Sequence, residues 1–273
     1  MTPSISIVTP CLNMAGYLRP SIESVLVNLR PGDEYLVIDG GSTDGSVDII
    51  RAHEQHLAGW VSEPDRGYAD ALAKGFARAT GDILCWVNAS DLLLPGALDA
   101  VREAMSDCRA DMLYGDVLDI DENGNVICRS SGRVPWLKYY MLYGGGTPWQ
   151  VGCFWRRDAY HAVGGIRPEM RLAADYDFFL RLSSSRPVKY VPRVFGAHRH
   201  HSGQLSIAQA LKYKEERLAA RRAVMKDQGQ SAAVRLALTS FFWPYARLRA
   251  RATKLWSHRD RLRGVPFAGL RCE

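Results

Sequence analysis

Two kinds of apolar pattern alternate along the first 120 residues of the chain. Short apolar runs rich in β-branched residues occupy 4–9, 34–39, 58–62, 82–88 and 111–118. Between these runs lie segments with the apolar spacing of helices, at 15–29, 46–56, 68–79 and 95–107. Strands that alternate with helices in this way predict βαβ units and a largely parallel sheet.

The pattern changes after residue 120. Polar residues at 121–125 separate two apolar runs, 114–120 and 125–130, and this predicts an antiparallel hairpin. The later spacing predicts two helices, a strand and a long helical region, at 158–163, 174–184, 188–196 and 207–262. We therefore expect an α/β fold over 1–206, with a doubly wound, mixed but mostly parallel sheet flanked by helices. A helical C-terminal extension follows over 207–273.

Three consecutive glycines, Gly144 to Gly146, interrupt the pattern. Such a run near a ligand site is typical of the hinge of a lid. A linker between two pieces of the domain is the alternative interpretation, and the sequence alone does not separate the two.

Composition narrows the class of protein. With 273 residues and 47% hydrophobic content, the chain can bury one large core. Apolar runs stay shorter than the roughly 18 residues that a membrane-spanning helix needs, and the N-terminus enters a strand without a basic, apolar leader. The six cysteines are scattered without a CxxC pair, which indicates reduced thiols. We expect a cytoplasmic protein.

The net charge of +6 is concentrated in the extension, because residues 207–273 hold 15 Lys and Arg against 5 Asp and Glu. Within it, an apolar stretch at 232–246 precedes a row of basic residues: Arg247, Arg249, Arg251, Lys254, Arg259, Arg261 and Arg263. The 232–263 segment suits an interfacial helix on an anionic membrane, here the inner face of the cell membrane. Packing on the main domain, or on a second copy in a homodimer, is the alternative. No recognised nucleic-acid fold accompanies the charge, so we expect no nucleic-acid partner.

Acidic residues lie where predicted strands end. Asp39 closes the strand before the glycine-rich DGGSTDG turn at 39–45, and Asn13 follows the first strand. Neighbouring parallel strands end at one crevice, where open α/β sheets bind ligands, although a plain surface turn is the alternative for this segment. Further acids lie at the ends of predicted strands or at the starts of predicted helices: Asp65, Asp70, Asp91, Asp175 and Asp177. Carboxylates grouped around one crevice need a cation or polar donors to stay ionised.

The fourth strand ends in short oxygen-bearing side chains, at Asn88, Ser90 and Asp91. Mg²⁺ and Mn²⁺ prefer such hard ligands. Because only one of the three is a carboxylate, the pattern indicates a weak metal site that a substrate phosphate completes. Capping of the helix that begins near Pro95 is the alternative role for Ser90 or Asp91.

Five motifs in order carry a resemblance to a known family: SIVTPCLN, VIDGGSTDGS, SEPDRGYADALAKGF, WVNASDLLLPGAL and AADYDFFLRL. Together they resemble family 2 nucleotide-sugar glycosyltransferases of the GT-A fold, most closely those that build bacterial polysaccharides. The resemblance covers residues 4 to about 206. It implies a GT-A-like sheet in the first domain.

The resemblance also implies roles for individual residues on the donor side. The nucleotide-binding residues are Thr9, Pro10, Asn13, Asp39 and Asp65. The residues beside the donor sugar and its diphosphate are Asp70, Lys74, Asn88 and Ser90. A divalent cation, Mn²⁺ or Mg²⁺, is implied as cofactor, with Asp91 and His201 as its ligands. The chain departs from the family pattern at Ser90, where an acid is usual, and this puts metal affinity in doubt.

Asp175, in the Asp-Tyr-Asp sequence at 175–177, matches the catalytic base of the family. Inversion at the anomeric carbon is one in-line displacement, so the attacking hydroxyl must lose its proton to such a group. A helix cap is the alternative role for Asp175. Trp149 and Gln150 match the acceptor side.

The resemblance thus implies an inverting glycosyltransferase that moves a sugar from a nucleoside diphosphate sugar to a hydroxyl of a glycan. A lipid-linked glycan of cell-surface polysaccharide synthesis is the expected kind of acceptor. One alternative is a degenerate sugar-nucleotide-binding module, suggested by Ser90. Another is a sugar-phosphate nucleotidyltransferase, which needs a glycine-rich basic loop after the first strand. Residues 10–14 have neither feature.

Overall fold

The computed structural model describes residues 2–134, 136–204, 209–227, 229, 231–257, 264–267 and 270, without the side chains of 227, 232 and 250–257. Within these ranges nine strands form one sheet. Their bounds are β1 Ile5–Cys11, β2 Glu34–Asp39, β3 Gly59–Ser62, β4 Ile83–Trp86, β5 Leu92–Leu93, β6 Met112–Ile120, β7 Val126–Ser130, β8 Cys153–Arg156 and β9 Val188–Arg199.

Helices separate most of the strands. They are α1 Ala15–Leu26, α2 Ser46–His53, α3 Tyr68–Phe76, α4 Ala97–Ser106, α5 Leu137–Tyr139, α6 Arg157–Ala162, α7 Ala174–Ser185, α8 Ala210–Asp227 and α9 Ala232–Ser257. A π-helical turn, Tyr140–Gly144, continues α5, and 3₁₀ turns occupy Glu54–His56 and Gln150–Gly152. No helix in the described ranges is long and apolar enough to cross a membrane.

The sheet has the order β3-β2-β1-β4-β8-β6-β9-β5, with β7 also paired to β6. Strands β3, β2, β1 and β4 run parallel, as do β6 and β9, whereas β8 is antiparallel to both of its neighbours. This confirms the α/β fold with a mixed, mostly parallel sheet. Because Cys11 pairs with Asp39 in register, β1 and β2 end together at one edge.

Both faces of the sheet are covered, which is why every residue of β1 is buried. On one face Trp86 stacks on Phe179 of α7, with ring centroids 5.4 Å apart and planes within 3°. Leu18 of α1 and Val101 of α4 cover the other face, where both are fully buried. Helix α7 is therefore fixed to the sheet through its aromatic face.

The two C-terminal helices share this core. Ala220 and Val224 of α8 and Phe242 of α9 are buried in the same cluster as Trp86. The predicted boundary at 206/207 lies outside the described residues, so the division into two domains stays a prediction. Three residues of the predicted basic row, Arg259, Arg261 and Arg263, also lie outside the described residues. The side chains of two others, Arg251 and Lys254, are not described.

The glycine run has a packing explanation. Gly145 has a φ of 79°, in the left-handed region that favours glycine. A side chain on Gly146 would overlap the ring of Tyr140, and one on Gly144 would lie 3.1 Å from the carbonyl oxygen of Phe242. Close approach of α9 and Tyr140 thus accounts for the glycines.

Candidate active site

The turn after β2 is built around the Asp39 carboxylate. Its Oδ2 accepts hydrogen bonds from the N–H of Gly41 (3.0 Å), the N–H of Ser42 (2.9 Å) and the hydroxyl of Ser62 on β3 (2.7 Å). Burial alone would raise the pKa of Asp39, but these hydrogen bonds outweigh burial and the pKa lies below its ordinary value. Asp39 is therefore a fixed anion that holds two strand ends together.

The loop after β1 is joined to this turn. Asn13, at a φ of 52°, donates its N–H to the Ser42 hydroxyl (2.7 Å) and accepts from the N–H of Thr43 at its Oδ1 (2.9 Å). Thr9 and Pro10 lie buried within β1, where the Thr9 hydroxyl is 3.0 Å from that of Tyr35. Asn13 thus reaches the surface of the site, and the Thr9 hydroxyl is directed into the sheet.

Asp65 lies directly against the Asp39 turn. A methyl group added to Gly40 would be 2.6 Å from Asp65 Oδ2, so the carboxylate rests on the Gly40 backbone. Its Oδ1 accepts from the N–H of Gly67 (2.8 Å) at the start of α3. The structure thus brings together two of the acids that the sequence placed on the nucleotide.

Asp70 and Lys74 belong to an ion-pair network on α3. Asp70 accepts from the Arg66 guanidinium (2.7 Å), which is the largest cause of its lowered pKa. Lys74 Nζ lies 2.8 Å from Glu63 Oε1 and 3.7 Å from Asp70 Oδ2. Both predicted donor-side residues therefore lie next to the Asp65 turn, with their charges paired to neighbours.

Asp91 is fully buried and surrounded by nitrogen donors. Its Oδ2 accepts from the side-chain amides of Asn88 (3.1 Å) and Gln150 (2.5 Å), and its Oδ1 from the N–H of Arg199 (3.0 Å). His198 Nδ1 lies 3.3 Å from Oδ1, without hydrogen-bond geometry. Burial lowers the pKa of His198, but the Asp91 carboxylate outweighs it and the pKa is raised.

Both Asp91 oxygens accept hydrogen bonds from N–H groups, so a divalent cation, which binds through oxygen or imidazole lone pairs, would have to replace some of these donors. The backbone carbonyl of Ser90 accepts a hydrogen bond from Arg199 Nε (3.0 Å). The ring centroids of His201 and Tyr17 are 5.1 Å apart. In the ranges that the structure describes, no three His, Cys, Asp or Glu side chains could hold a metal ion.

Asp175 begins the first turn of α7. Its Oδ1 is shielded from solvent and has no hydrogen-bond partner among the described residues. Its N–H donates to the hydroxyl of Tyr68 (3.3 Å) at the start of α3. Burial raises the pKa of Asp175, and the nearby Arg217 guanidinium only partly offsets this effect. A carboxylate with an unused oxygen and a raised pKa has the properties of a general base.

Helix α8 supports the turn that carries Asp175. Glu216 accepts from the N–H groups of Leu172 (2.8 Å) and Ala173 (2.9 Å), directly before α7. Arg217 donates to the carbonyl of Gly145, and its guanidinium lies 4.3 Å from the centre of the Tyr176 ring. The sequence analysis missed these contacts, because the pattern at 207–262 predicts helix without indicating what the helix packs against.

A chain of contacts joins three of the predicted acids, Asp39, Asp65 and Asp175. Asp39 and Asp65 meet at Gly40. Asp65 accepts from the N–H of Gly67, and the next residue, Tyr68, accepts from the N–H of Asp175. The Asp39 turn, the Asp65 turn and the start of α7 therefore adjoin. Tyr68 was not singled out from sequence, although it lies within the third motif.

The two residues predicted for the acceptor lie beside Asp91. Trp149 stacks on His198, with ring centroids 4.5 Å apart. Gln150 is buried and uses its amide on Asp91, so its side chain points inward. Their roles toward an acceptor stay predictions, as do the roles of the other site residues.

Comparison with known proteins identifies the family. The Glycosyl transferase family 2 profile matches residues 6–161. An uncharacterized glycosyltransferase of Mycobacterium tuberculosis is 30% identical over 182 residues, which span 66% of this chain and 68% of that protein. The PGL/p-HBAD biosynthesis glycosyltransferase of the same species is 29% identical over 188 residues, 67% of this chain and 71% of its own.

Solved structures agree at the level of the fold. Staphylococcus aureus TarS 1-349 in complex with UDP-GlcNAc has a TM-score of 0.69 at 14% identity, over 88% of this chain and 71% of its own. The Pyrobaculum calidifontis mannosyltransferase PcManGT, in complex with GDP-Man and Mn²⁺, has a TM-score of 0.62 at 19% identity, over 95% and 76%. Both support a GT-A-like fold. With a family profile over more than half of its length, the chain belongs to glycosyltransferase family 2.

Proposed function

We propose that this protein transfers a sugar from a nucleoside diphosphate sugar to a glycan hydroxyl with inversion at the anomeric carbon. One observation carries the proposal: Asp175 has a shielded, unpartnered carboxylate oxygen, and its backbone is bound by Tyr68, which follows the Asp65 turn. Family membership supports sugar transfer, and the unpartnered oxygen supports a general base.

In the proposed reaction the acceptor hydroxyl oxygen attacks the anomeric carbon while the bond from that carbon to the diphosphate oxygen breaks. Asp175 takes the hydroxyl proton, and the electron pair of the broken bond leaves on the nucleoside diphosphate. Asn13, Asp39 and Asp65 bind the nucleotide. His198, beside Asp91, donates a hydrogen bond toward the developing charge on the leaving group.

The substrate class rests on the neighbours of this chain. TarS was solved with UDP and with UDP-GlcNAc, and PcManGT with GDP-Man, so we propose a nucleoside diphosphate sugar as donor. The PGL/p-HBAD biosynthesis relative favours a glycan or lipid-linked glycan as acceptor. Cell-surface polysaccharide synthesis is the proposed setting.

The proposal is tested by incubating the protein with UDP- and GDP-sugars and measuring nucleotide release with and without a glycan extract. Proton NMR of the product should show the anomeric configuration opposite to that of the donor. A product that retains the donor configuration would contradict the inverting mechanism. Nucleotide binding without turnover would favour a degenerate binding module, and pyrophosphate release would indicate a nucleotidyltransferase.

The cation is tested separately. Because nitrogen donors occupy both Asp91 oxygens, we expect the Mn²⁺ electron paramagnetic resonance signal to keep its free-ion intensity when the protein alone is added. Stoichiometric loss of that signal would contradict the account of Asp91. Repeating the titration with UDP tests the predicted ligands Asp91 and His201, since phosphate oxygens then become available.

We further propose that α9 attaches the protein to an anionic membrane surface. Large apolar side chains of this helix are exposed although Phe242 of the same helix is buried; they are Leu236, Phe241, Trp243 and Leu248. The Arg247 guanidinium lies 3.5 Å from the centre of the Trp243 ring, so positive charge adjoins the apolar surface. Aromatic rings beside arginines suit the headgroup region of anionic lipid.

Replacing both Phe241 and Trp243 with serine should weaken binding to phosphatidylglycerol vesicles by about tenfold or more, since two apolar side chains no longer insert. Vesicle sedimentation measures the effect. Val27→Ser is the matched control, because Val27 is 69% exposed and lies on another surface. If the double variant sedimented with vesicles as the parent does, and the protein were a dimer in solution, the membrane proposal would be contradicted. The exposed side chains of α9 would then be assigned to a homodimer contact.

A further inference from the structure

A cavity of about 520 Å³ lies beside Trp149, lined by residues of β6, β7, α5, the π-helical turn and α9. Asp119, Ser130 and His200 line one side of it, and Tyr140, Thr147 and Trp149 belong to the rest of the wall. Its volume is in the range of small-molecule sites. The catalytic proposal above uses none of these residues except Trp149.

One wall of the cavity carries a hydrogen-bonded carboxylate. Asp119 accepts from the Ser130 hydroxyl and lies 2.7 Å from His200 Nε2. Burial would raise the pKa of Asp119, but the hydrogen bond from His200 and that from Ser130 outweigh it, so the carboxylate stays ionised. An ionised carboxylate accepts hydrogen bonds from ligand hydroxyls and repels anionic ligands.

The remaining wall carries two aromatic residues, Tyr140 and Trp149, the aliphatic residues Ile127, Val134 and Leu137, and Arg249. The Arg249 guanidinium lies 5.6 Å from the centre of the Tyr140 ring and donates to the backbone carbonyl of Ser131. The Thr147 hydroxyl oxygen is shielded from solvent and has no hydrogen-bond partner among the described residues. Buried hydroxyls without a partner are rare, and a bound ligand is one way to satisfy them.

The cavity adjoins the proposed reaction site. Trp149 lines the cavity with one part of its side chain and stacks on His198 at 4.5 Å, and His198 lies 3.3 Å from Asp91. Gly146 packs on Tyr140, while Arg217 beside Asp175 donates to the carbonyl of Gly145. The cavity therefore adjoins the Asp91 side of the proposed site through Trp149 and His198.

We propose that this cavity binds an uncharged sugar residue of the acceptor glycan, with Asp119, Ser130, His200 and Thr147 on its hydroxyls and the two rings against its apolar face. The proposal rests on the proposed function, because it names the substrate class of the acceptor side. Aromatic faces combined with a fixed carboxylate suit a ring that carries both C–H faces and hydroxyls. Asp119 and Arg249 place charges of opposite sign on the cavity wall, which suits a ligand without net charge.

Saturation-transfer NMR with the methyl glycosides of glucose, galactose, mannose, rhamnose and N-acetylglucosamine tests the cavity in the full-length protein. We expect transfer to the ring protons of at least one glycoside. Asp119→Asn keeps the shape and removes the charge, so it should weaken that binding about tenfold or more. Ile127→Trp should abolish it by filling the cavity, whereas Ile49→Trp, a half-buried isoleucine on α2, should leave it unchanged.

Glycoside signals that persist in Ile127→Trp, or that are absent with all five glycosides, would overturn the proposal. Displacement of the glycoside by inorganic pyrophosphate would also overturn it, because it would indicate an anion site. UDP and GDP thermal shifts measured on the same samples separate this result from the proposed function. Nucleotide binding without glycoside binding would contradict only the cavity proposal. Glycoside binding without nucleotide binding would contradict the assignment of the donor.

Discussion

Asp175→Asn is expected to reduce sugar transfer by about 10²- to 10⁴-fold and, at the same time, to raise the melting temperature at neutral pH. The loss of activity follows because an amide cannot accept the acceptor proton. The gain in stability follows because burial raises the pKa of Asp175, so folding places an ionised carboxylate in an unfavourable environment.

The sign of the stability effect depends on pH. Below about pH 4, the ordinary pKa of a carboxyl, both folded and unfolded states are protonated and Asp175 adds no penalty. As pH rises, the unfolded chain ionises first while the folded protein retains its proton, so the folded state loses relative stability. The penalty becomes constant above the raised folded pKa. The melting temperature of Asp175→Asn, relative to that of the parent, should therefore increase as pH rises from about 4 toward neutrality.

Asp177→Asn is the matched control on the same helix. Asp177 is buried and bound by the Arg181 guanidinium at 2.9 Å and 2.7 Å. Removing this charge leaves a buried arginine without its partner, which lowers stability. Thermal unfolding from pH 4 to pH 8 should move the two variants in opposite directions. Full activity in Asp175→Asn, or a lower melting temperature at pH 8, would contradict the assignment of Asp175.

Phe242→Ala is expected to lower the free energy of unfolding by about 3–5 kcal/mol. Phe242 is 1% exposed, and its ring centroid lies 6.2 Å from that of Tyr139 and 6.5 Å from that of Trp136. Truncation therefore leaves a cavity where α9 meets the main core. Its neighbour Phe241 is 55% exposed, so Phe241→Ala should change stability by less than about 0.5 kcal/mol.

Urea unfolding of the two alanine variants measures this difference. The comparison also tests the predicted division at 206/207. If the C-terminal extension folded apart from the main domain, Phe242→Ala would leave the main unfolding transition unchanged. A single transition shifted to lower urea in Phe242→Ala alone would show that α9 and the sheet unfold together.

Much of the fold could be predicted because its strands and helices are long and regularly patterned. The run at 34–39 became β2 with the same bounds, and the helix predicted at 174–184 became α7, Ala174–Ser185. Strand β8, Cys153–Arg156, was missed because three apolar residues and an arginine without alternation carry no periodic signal. The π-helical turn Tyr140–Gly144 was missed for a related reason, since its form depends on packing against α9.

The candidate site was predictable where it depends on strand ends, as for Asp39 and Asp65. It was not predictable where contacts join distant parts of the chain. Tyr68 and Asp175 are 107 residues apart, and Glu216 lies 44 residues after the Leu172 N–H that it binds. The amide donors around Asp91 were likewise missed. Only folding brings Gln150 to that carboxylate, and Gln150 had been assigned to the acceptor.

The central claim is that Asp39, Asp91 and Asp175 border one site for a nucleoside diphosphate sugar. A crystal structure of the protein with the nucleoside diphosphate that gives the largest thermal shift tests it most directly. The account predicts the nucleoside against Asn13, Asp39 and Asp65, with the terminal phosphate directed toward the space between His198 and Asp175. A nucleotide bound on another surface, or a phosphate directed away from Asp175, would contradict it.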